Sequence, residues 1–360
     1  MRRVLSTLCC EIYIHVAYSA THLTAISPLK ENINVYKVYV TDHDYPDLAI
    51  EESVLAPIGA QVIGLQDRTG AHLAQAARDA DALMQQYAKI SADTIGSLKQ
   101  CKVIARYGIG LDILDVKAAH AAGIVVTNVP DYCLEEVADH SISMALTLLR
   151  SIPTYADATR RGTWHWSAWN RPIRRLRGSV FGFVGFGRIA QNMAHKLKPF
   201  GLELLAYDPY VSAGVMHSHG VRKVEFDELL RHTDLVDVMC PYTPETHHLI
   251  DEAAIERMKP GALLVNCARG KIVDNAALHR ALTSRRLAAA ALDDTEEEPA
   301  KQTDWSPNDN PLFSLDNCII TPHVAYVSED ALHEARRVAA ENVRAVLLGQ
   351  VPPNAVHYRN

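Results

Sequence analysis

Short apolar runs alternate with charged, alanine-rich stretches along most of this chain, which is typical of an α/β protein. In the first half, apolar runs of strand length begin near Tyr36, and helix-like stretches such as residues 71–79 lie between them. This alternation favours a parallel sheet covered by helices on both faces. The runs expected to form buried strands in this half are residues 38–42, 60–64, 82–84 and 103–107.

In the second half of the chain, the same alternation of apolar and charged stretches begins at a glycine-rich turn. An apolar run at residues 180–184 leads into Gly185-x-Gly187-x-x-Ala190, and a helix-like run at 191–198 follows. Further strands are expected at residues 202–207, 235–239, 262–266, 287–292 and 318–320. With the first run these make six strands, the number in a complete two-half dinucleotide-binding sheet.

Two long amphipathic helices complete the predicted elements. Apolar positions recur at helical spacing up to Arg150 after start signals at residues 131–134, and we expect this helix to bridge two domains. Residues 329–348 form the second helix, which could return to the first domain. Between them, the segment 160–177 combines six arginines with three tryptophans. We interpret it as an exposed arm that packs on a neighbouring subunit or covers the sheet, rather than as a nucleic-acid surface.

Composition narrows the classes of protein. A chain of 360 residues is too long for one ordinary core, so two domains are expected. The net charge of −6 argues against a nucleic-acid partner, and no apolar run approaches the roughly 18 residues of a membrane span. Seven scattered cysteines without a C-x-x-C pair fit a reducing cytoplasm and predict no metal site.

Residues 1–35 differ from the rest of the chain. Arg2-Arg3 before an apolar run imitates a signal peptide, but Glu11 and His15 interrupt that run. We interpret this segment as an extension of unknown role.

The glycine-rich turn predicts a dinucleotide site. Gly185 permits a tight turn, Gly187 lets the backbone approach a pyrophosphate, and Ala190 is small enough for helix-on-strand packing. Free N–H groups at the start of the following helix attract the phosphates. Asp208 ends the next predicted strand, 23 positions after Gly185. An acidic residue about 20 positions on binds the ribose hydroxyls and repels a 2′-phosphate, so NAD is predicted over NADP.

Three ionisable residues follow later strands of the same sheet: Arg269, Glu298 and His323. A nicotinamide carries hydride, so its partner site must hold a carbonyl or alcohol and move one proton. A guanidinium can grip a carboxylate and polarise an adjacent carbonyl. An imidazole can exchange a proton with an alcohol, and a carboxylate against it would fix its tautomer. Together the three predict an active site at the carboxyl edge of the sheet.

The chain resembles the D-isomer-specific 2-hydroxyacid dehydrogenase family from about Val38 to about Pro352. The matching motifs are residues 106–112, 136–140, 185–190, 207–209, 241–246, 266–270, 292–293 and 321–323. Residues 128–133 with Glu135-Glu136 look like the branch related to C-terminal-binding proteins. The resemblance implies an α/β fold with a Rossmann doubly wound parallel sheet and a smaller flavodoxin-like α/β substrate domain. The implied NAD-binding domain is 131–323, and the substrate domain is 36–130, completed by 324–360.

The resemblance also implies roles for individual residues. Arg269, Glu298 and His323 would be the catalytic set. Backbone amides at Gly108, Ile109 and Gly110 would hold the substrate carboxylate. The implied cofactor-binding residues are Gly185, Gly187, Arg188, Ile189, Asp208, Cys240, Pro241, Thr246, Cys267, Ala268 and Asp293. Of these, Asp293 and the backbone around Cys267 would hold the carboxamide. Family members are usually homodimers, here joined through the helix at 135–150 and the arm that carries Trp164, Trp166 and Trp169.

Several positions depart from the family pattern. Met239 stands where histidine is common, Asp237 where a small hydroxyl residue is usual, and Asp294 where valine is typical. Cys133 and Tyr326 replace an asparagine and a tryptophan found in relatives. These departures leave the substrate preference open.

The predicted function is an NAD-dependent oxidoreductase that interconverts a small 2-keto acid and a D-2-hydroxy acid, like glyoxylate or hydroxypyruvate reductases or phosphoglycerate dehydrogenase. The sequence ends soon after the last helix, which disfavours a feedback-controlled serine-pathway enzyme. The alternative is an NAD(H)-responsive dimeric binding protein or co-repressor of the C-terminal-binding-protein type. Retention of Arg269, Glu298 and His323 favours the enzyme, because a sensor does not need proton-transfer groups.

Overall fold

The computed structural model describes residues 35–168, 172–302 and 304–357, which form twelve strands in two sheets. The strands are β1 (Lys37–Val40), β2 (Gln61–Gly64), β3 (Ala82–Gln85), β4 (Val103–Arg106), β5 (Val125–Thr127), β6 (Val180–Val184), β7 (Glu203–Tyr207), β8 (Arg222–Lys223), β9 (Leu235–Val238), β10 (Ala262–Asn266), β11 (Leu287–Leu292) and β12 (Cys318–Ile320). The α-helices are α1 (Ala49–Leu55), α2 (Leu73–Ala76), α3 (Ala92–Ser97), α4 (Val116–Ala121), α5 (Leu134–Leu149), α6 (Ile152–Arg160), α7 (Arg188–Leu197), α8 (Ala213–Ser218), α9 (Phe226–His232), α10 (Glu252–Arg257), α11 (Asn275–Thr283) and α12 (Glu329–Leu347).

Both sheets are parallel and doubly wound. The first has the order β2-β1-β3-β4-β5, which is the flavodoxin-like order. The second has the order β12-β11-β10-β9-β6-β7-β8, so the chain reverses direction across the sheet between β6 and β9. Such a reversal opens a crevice at the carboxyl ends of the strands, where these sheets bind ligands. The predicted fold, a Rossmann sheet with a smaller flavodoxin-like sheet, is confirmed.

Two strand predictions are wrong in detail. The second sheet has seven strands rather than six, because β8 joins its edge beside β7. That strand contains only Arg222 and Lys223, so it leaves no apolar run in the sequence. In the first sheet, β2 was expected to be buried but lies at the edge, with Gln61 and Gly64 exposed.

The predicted helix at 71–79 is reduced to the single turn α2. The carboxylate of Asp67 accepts hydrogen bonds from the N–H groups of Gly70 and His72, at 3.0 and 2.7 Å. These bonds hold the preceding residues in a loop. A side chain that captures backbone N–H groups in this way competes with helix formation.

We call the part of the molecule built on the first sheet the first lobe, and the part built on the second sheet the second lobe. The helix expected to bridge two domains, α5, packs within the second lobe. It lies against α7 and the strands β9, β10 and β11, with its apolar face buried. The C-terminal helix α12 packs on α1, β3 and β4 of the first lobe, as the sequence suggested. A buried ion pair of 2.7 Å between Arg336 and Glu51 joins α12 to α1.

The arm after α6 exposes Trp164 and Trp166, whose relative exposures are 88% and 70%. Trp169 and the extension at residues 1–34 lie outside the described residues. Among the residues that the structure describes, no helix is long and apolar enough to cross a membrane. In the same part of the chain, no cluster of three or more acidic, histidine or cysteine side chains is arranged to hold a metal ion.

Candidate active site

A cavity of about 310 Å³ lies where loops from both lobes converge. The first lobe contributes the loop after β4, and the second contributes the loops after β10, β11 and β12. Because these loops follow the carboxyl ends of parallel strands, they meet at the ligand-binding edge of the sheets. The predicted site residues that line the cavity are Gly108, Ile109, Gly110, Ile189, Cys240, Pro241, Cys267, Ala268, Arg269, Asp293 and His323.

The loop at residues 108–110 is shaped to receive an anion. Its three carbonyl groups accept hydrogen bonds from the Val129 N–H, the Asn128 amide and the Arg106 guanidinium, at 3.0, 2.9 and 3.2 Å. The three N–H groups of the same loop have no hydrogen-bond partner within the described part of the chain. Because backbone N–H groups strongly prefer a partner, this loop offers three donors to a bound ligand.

Arg269 reaches from the second lobe to the first. Its Nε lies 3.3 Å from Oδ1 of Asp112, and its Nη1 donates to the carbonyl of Ala268 at 2.7 Å. The last residue of β10, Asn266, donates to the Arg269 carbonyl and accepts from the Ala268 N–H, which fixes the loop. A Cβ atom on Gly110 would overlap the guanidinium, so a larger residue there would require the Arg269 side chain to move.

Asp112 is a site residue that the sequence prediction missed, although it stands two positions after the predicted loop. Burial opposes its charged form, but the cations Arg269 and Lys301 outweigh that effect and lower the pKa of Asp112 to about 2. The Nζ atom of Lys301 lies 3.4 Å from Oδ2 of Asp112. A carboxylate therefore faces Arg269 throughout the neutral pH range, and a bound anion must share the guanidinium with it.

His323 is held in a left-handed backbone conformation, with φ of 56°. Its N–H donates to the carbonyls of Asp293 and Thr321, at 2.7 and 3.0 Å. The Asp293 carboxylate in turn accepts hydrogen bonds from the N–H groups of Val324 and Ala325. This conformation is uncommon for a residue other than glycine and persists because these bonds determine it. Asp293 thus positions the loop that carries His323, and its role toward a carboxamide stays a prediction.

The His323 ring lies between two tyrosines that the sequence prediction did not assign to the site. Tyr87 and Tyr326 meet it edge-on, with ring centroids 6.3 and 6.1 Å away. Their hydroxyl oxygens are 3.0 Å apart, and both side chains line the cavity. Tyr87 stands two residues after β3, so its position at a strand end was the available signal.

The acidic run at residues 293–298 contains five carboxylates, and each has its own partner. The first, Asp293, serves the His323 loop as described. Glu296 accepts from Nε2 of His248 at 2.5 Å and from the N–H of Asn275 at 3.3 Å. Glu297 accepts from the side-chain amides of Asn275 and Asn310. The run is therefore part of the packed site and not a solvated surface.

Another carboxylate lies nearer to His323 than that of Glu298, whose catalytic role stays a prediction. Glu298 forms ion pairs with Lys271 at 2.6 Å and with Lys301. The carboxylate that meets the imidazole is that of Asp294, whose Oδ2 lies 3.3 Å from Nδ1 of His323. Two cations attract Glu298, and this accounts for the difference.

The turn between β6 and α7 has the features that a dinucleotide requires. Gly185 has φ of 94°, and a Cβ atom there would lie 2.7 Å from the backbone nitrogen of Cys240. Gly187 is the N-cap of α7, where no side chain caps the helix. A Cβ atom on Gly187 would meet nothing within 4 Å. Uncapped N–H groups that face open space suit a pyrophosphate, because the helix dipole also attracts it.

Asp208 lies directly after β7 and beside the glycine turn. Its carboxylate accepts hydrogen bonds from the N–H groups of Phe186, Tyr210 and Val211, at 2.8, 2.8 and 3.1 Å. A carboxylate offers about four acceptor positions, so one remains for a ribose hydroxyl. These residues fit the nucleotide half of NAD.

Two other predicted cofactor residues make contacts within the protein. Arg188 forms an ion pair with Asp131, and the Thr246 hydroxyl accepts from the Thr243 N–H and donates to the Pro241 carbonyl. Neither side chain lines the cavity. Their roles toward a cofactor stay predictions.

Burial disfavours the thiolate form of three cysteines at the cavity. Burial raises the pKa of Cys240 and of Cys133 to about 12, and it raises the pKa of Cys267 well above its ordinary value. Because the thiolate is the nucleophilic form of cysteine, these side chains serve as apolar lining.

The Rossmann sheet, its glycine turn and the charged residues at the facing strand ends define an NAD-binding protein with a second ligand-binding lobe. The family model described as "D-isomer specific 2-hydroxyacid dehydrogenase, NAD binding domain" matches residues 142–325. The chain belongs to the D-isomer-specific 2-hydroxyacid dehydrogenase family, as its motifs predicted, and these residues contain its NAD-binding region.

Similar proteins include two D-3-phosphoglycerate dehydrogenases. The chain is 37% identical to those of Methanocaldococcus jannaschii and Mycobacterium tuberculosis, over 90% and 85% of its own length. It spans only 60% and 57% of the length of these relatives. The solved structure of D-lactate dehydrogenase from Aquifex aeolicus, complexed with NAD and lactic acid, is 29% identical with a TM-score of 0.79 and covers 90% of this chain and 100% of that one. None of the three is named as a C-terminal-binding protein, so they lend no support to that branch or to the binding-protein alternative.

Proposed function

We propose that the protein catalyses the NAD-dependent interconversion of a small 2-keto acid and a D-2-hydroxy acid. The observation that carries this proposal is that Arg269 and His323 line one cavity with the three donor N–H groups of residues 108–110. When NAD is bound, it supplies or accepts the hydride. The protein itself must then hold an anionic substrate and move one proton.

Arg269 and the loop at residues 108–110 bind different groups of the substrate. The loop donors bind the substrate carboxylate, while the guanidinium bridges to the neighbouring carbonyl oxygen and withdraws charge from it. This charge withdrawal favours hydride addition at the carbonyl carbon, because negative charge then develops on the oxygen. His323 donates a proton to that oxygen in the reduction and recovers it in the reverse reaction.

Assays of a panel of 2-keto acids can identify the substrate. The relatives are named for 3-phosphoglycerate and for lactate, so phosphohydroxypyruvate and pyruvate are the first compounds to assay with NADH, followed by hydroxypyruvate and glyoxylate. We expect turnover of at least one of them to a D-2-hydroxy acid. Absence of turnover on all four would contradict the proposed function.

A substitution at His323 tests the proton step. We expect His323→Gln to lower kcat by roughly 10²-fold or more while NADH binds as in the wild type. The control is His232→Gln, a change at an exposed position at the end of α9 away from the cavity, which should alter neither quantity. Turnover near that of the wild type in His323→Gln would remove His323 from the proposed role.

Cofactor choice is assigned to Asp208. Its carboxylate, fixed beside the glycine turn, would repel a 2′-phosphate, so NADH should bind more tightly than NADPH. Asp208→Asn should reduce the difference between the affinities for NADH and NADPH. Asp316→Asn, at an exposed site, should leave this difference unchanged. Fluorescence titrations of both cofactors measure this, and tighter NADPH binding by the wild type would refute the assignment.

We also propose that the substrate domain comprises residues 36–130 and 324–360, and that the NAD-binding domain comprises 131–323. The packing of α12 on α1, β3 and β4 supports this division. Limited proteolysis with mass spectrometry of the fragments tests it.

For the assembly we propose a homodimer that uses the arm after α6. The exposed side chains of Ile152, Trp164 and Trp166 support a contact there. Light scattering on the wild type and on Trp164→Ser tests it, and a monomeric wild type would contradict it.

A further inference from the structure

Asp112 and Arg269 meet across the cavity, one from each lobe. Asp112 lies on the loop that follows β4, and Arg269 lies on the loop that follows β10. The Nε–H group of Arg269 donates to Oδ1 of Asp112 at 3.3 Å. The two side chains are only 23% and 17% exposed, so water screens the pair less than it screens a surface pair. No other carboxylate among the described residues lies within ion-pair distance of this guanidinium.

The contact with Asp112 determines where the rest of the guanidinium points. A guanidinium is planar, and its N–H bonds have fixed directions. Nε of Arg269 is bonded to Asp112, and Nη1 donates to the Ala268 carbonyl at 2.7 Å. Nη2 then lies beside Gly110, in the space that a Cβ atom on that residue would take. It donates to no acceptor in the described part of the chain, so it is available to a ligand held by the N–H groups of residues 108–110.

Asp112 is itself held from the second lobe. Its Oδ2 lies 3.4 Å from Nζ of Lys301, and Lys301 also pairs with Glu298. Glu298 in turn pairs with Lys271 at 2.6 Å. Three cations, including Arg269, thus face two carboxylates, which leaves a net charge of +1 in the cluster. A bound monocarboxylate neutralises this charge, so Asp112 can hold the guanidinium while the cluster still attracts an anion.

We infer that Asp112 is the positioning residue for Arg269, and that it directs Nη2 toward the place where the loop at 108–110 binds the substrate carboxylate. This inference rests on the proposed function. Asp112 stays ionised and transfers no proton, and its effect on the reaction passes through Arg269. A displaced guanidinium would weaken the binding of the substrate carboxylate, and it would also withdraw less charge from the carbonyl oxygen.

The contact is measurable without substrate or cofactor. In protein labelled with ¹⁵N-arginine, the Nε–H signal of Arg269 is assigned by its loss in Arg269→Met. A hydrogen bond to a carboxylate protects this proton from exchange with water, so we expect it to exchange at least about tenfold faster in Asp112→Ala. The control Asp93→Asn changes an exposed carboxylate of the first lobe and should leave the exchange rate as in the wild type. An exchange rate that Asp112→Ala does not change would overturn the inference.

Kinetics test whether Asp112 acts through Arg269. For the keto acid that the panel shows to be reduced fastest, Asp112→Ala should raise KM by roughly tenfold or more, with NADH affinity changed by less than about twofold. In an Arg269→Met background, the same change should lower kcat/KM by less than about twofold further, because the group that Asp112 positions is gone. An equal loss in both backgrounds would identify a structural role of Asp112 in its own loop and would overturn the inference.

Asp112→Asn guards against a misfolded alanine variant, because it keeps the size of the side chain and removes its charge. We expect KM to rise in this variant as well, by a smaller factor than in Asp112→Ala, and Asp93→Asn should match the wild type. A fall of KM in Asp112→Asn would show that Asp112 competes with the substrate for Arg269, which contradicts the inference. If no keto acid is reduced at all, the proposed function fails, while the exchange measurement still tests the contact.

Discussion

Asp237 leads to the most specific prediction about stability. It lies on β9 in the middle of the second sheet, fully buried between Val265 of β10 and Phe183 of β6. The hydroxyl of Ser141 donates to its Oδ2 at 2.7 Å, and Oδ1 has no hydrogen-bond partner among the residues described. Burial raises the pKa of Asp237 to about 8, and the hydrogen bond from Ser141 offsets only part of that effect. A neutral, protonated carboxyl is therefore favoured in the folded protein near pH 7.

The direction of the pH dependence follows from this shift. In the unfolded chain the group titrates near its ordinary pKa of 3.8. Because the folded pKa is higher, the contribution of Asp237 to stability is fully present below about pH 4 and is lost as the pH rises toward about 8. Within that window the loss is about 1.4 kcal/mol of unfolding free energy per pH unit.

Replacement of Asp237 by asparagine removes the titration and keeps the shape of the side chain. The unfolding free energy of Asp237→Asn relative to the wild type should therefore grow by roughly 2–3 kcal/mol between about pH 5.5 and about pH 7.5. Urea unfolding curves followed by circular dichroism at several pH values measure this difference. Asp316→Asn at an exposed site is the matched control and should show a flat difference. A flat difference for Asp237→Asn would refute the reasoning.

Two further predictions concern packing. Arg336→Leu should lower the unfolding free energy by roughly 3–5 kcal/mol in urea, because it leaves the fully buried Glu51 without its ion-pair partner. The control Arg337→Ala, on the same helix, removes half-exposed ion pairs and should lower it by at most about 1 kcal/mol. Equal losses in the two variants would contradict the buried pair. Gly185→Ala should abolish NADH binding in a fluorescence titration, because its Cβ would overlap the backbone of residues 239–240. Gly220→Ala has a comparable positive φ but open space around its Cβ, and should bind NADH normally.

The bounds of an element could be predicted where burial alone determines that element. The bounds of β6, β10 and β11 match the apolar runs in the sequence, because strands inside a parallel sheet are buried on both faces and read as continuous apolar segments. The strand β8 and the short helix α2 could not be predicted in this way. The strand β8 exists through its pairing with β7, and the helix α2 is limited by hydrogen bonds that the Asp67 carboxylate accepts.

The sequence by itself determined that a glycine turn, Arg269 and His323 follow strands of one sheet, and so must meet at one edge. It could not determine which charged side chains pair there. The segment 293–298 holds five chemically similar carboxylates within six positions, and spacing along the chain does not distinguish them. Only the path of the loops in space brings Asp294 to His323, two lysines to Glu298, and Asp112 from the other lobe to Arg269. Electrostatic partners are selected by distances of a few ångströms, and these distances are properties of the tertiary structure.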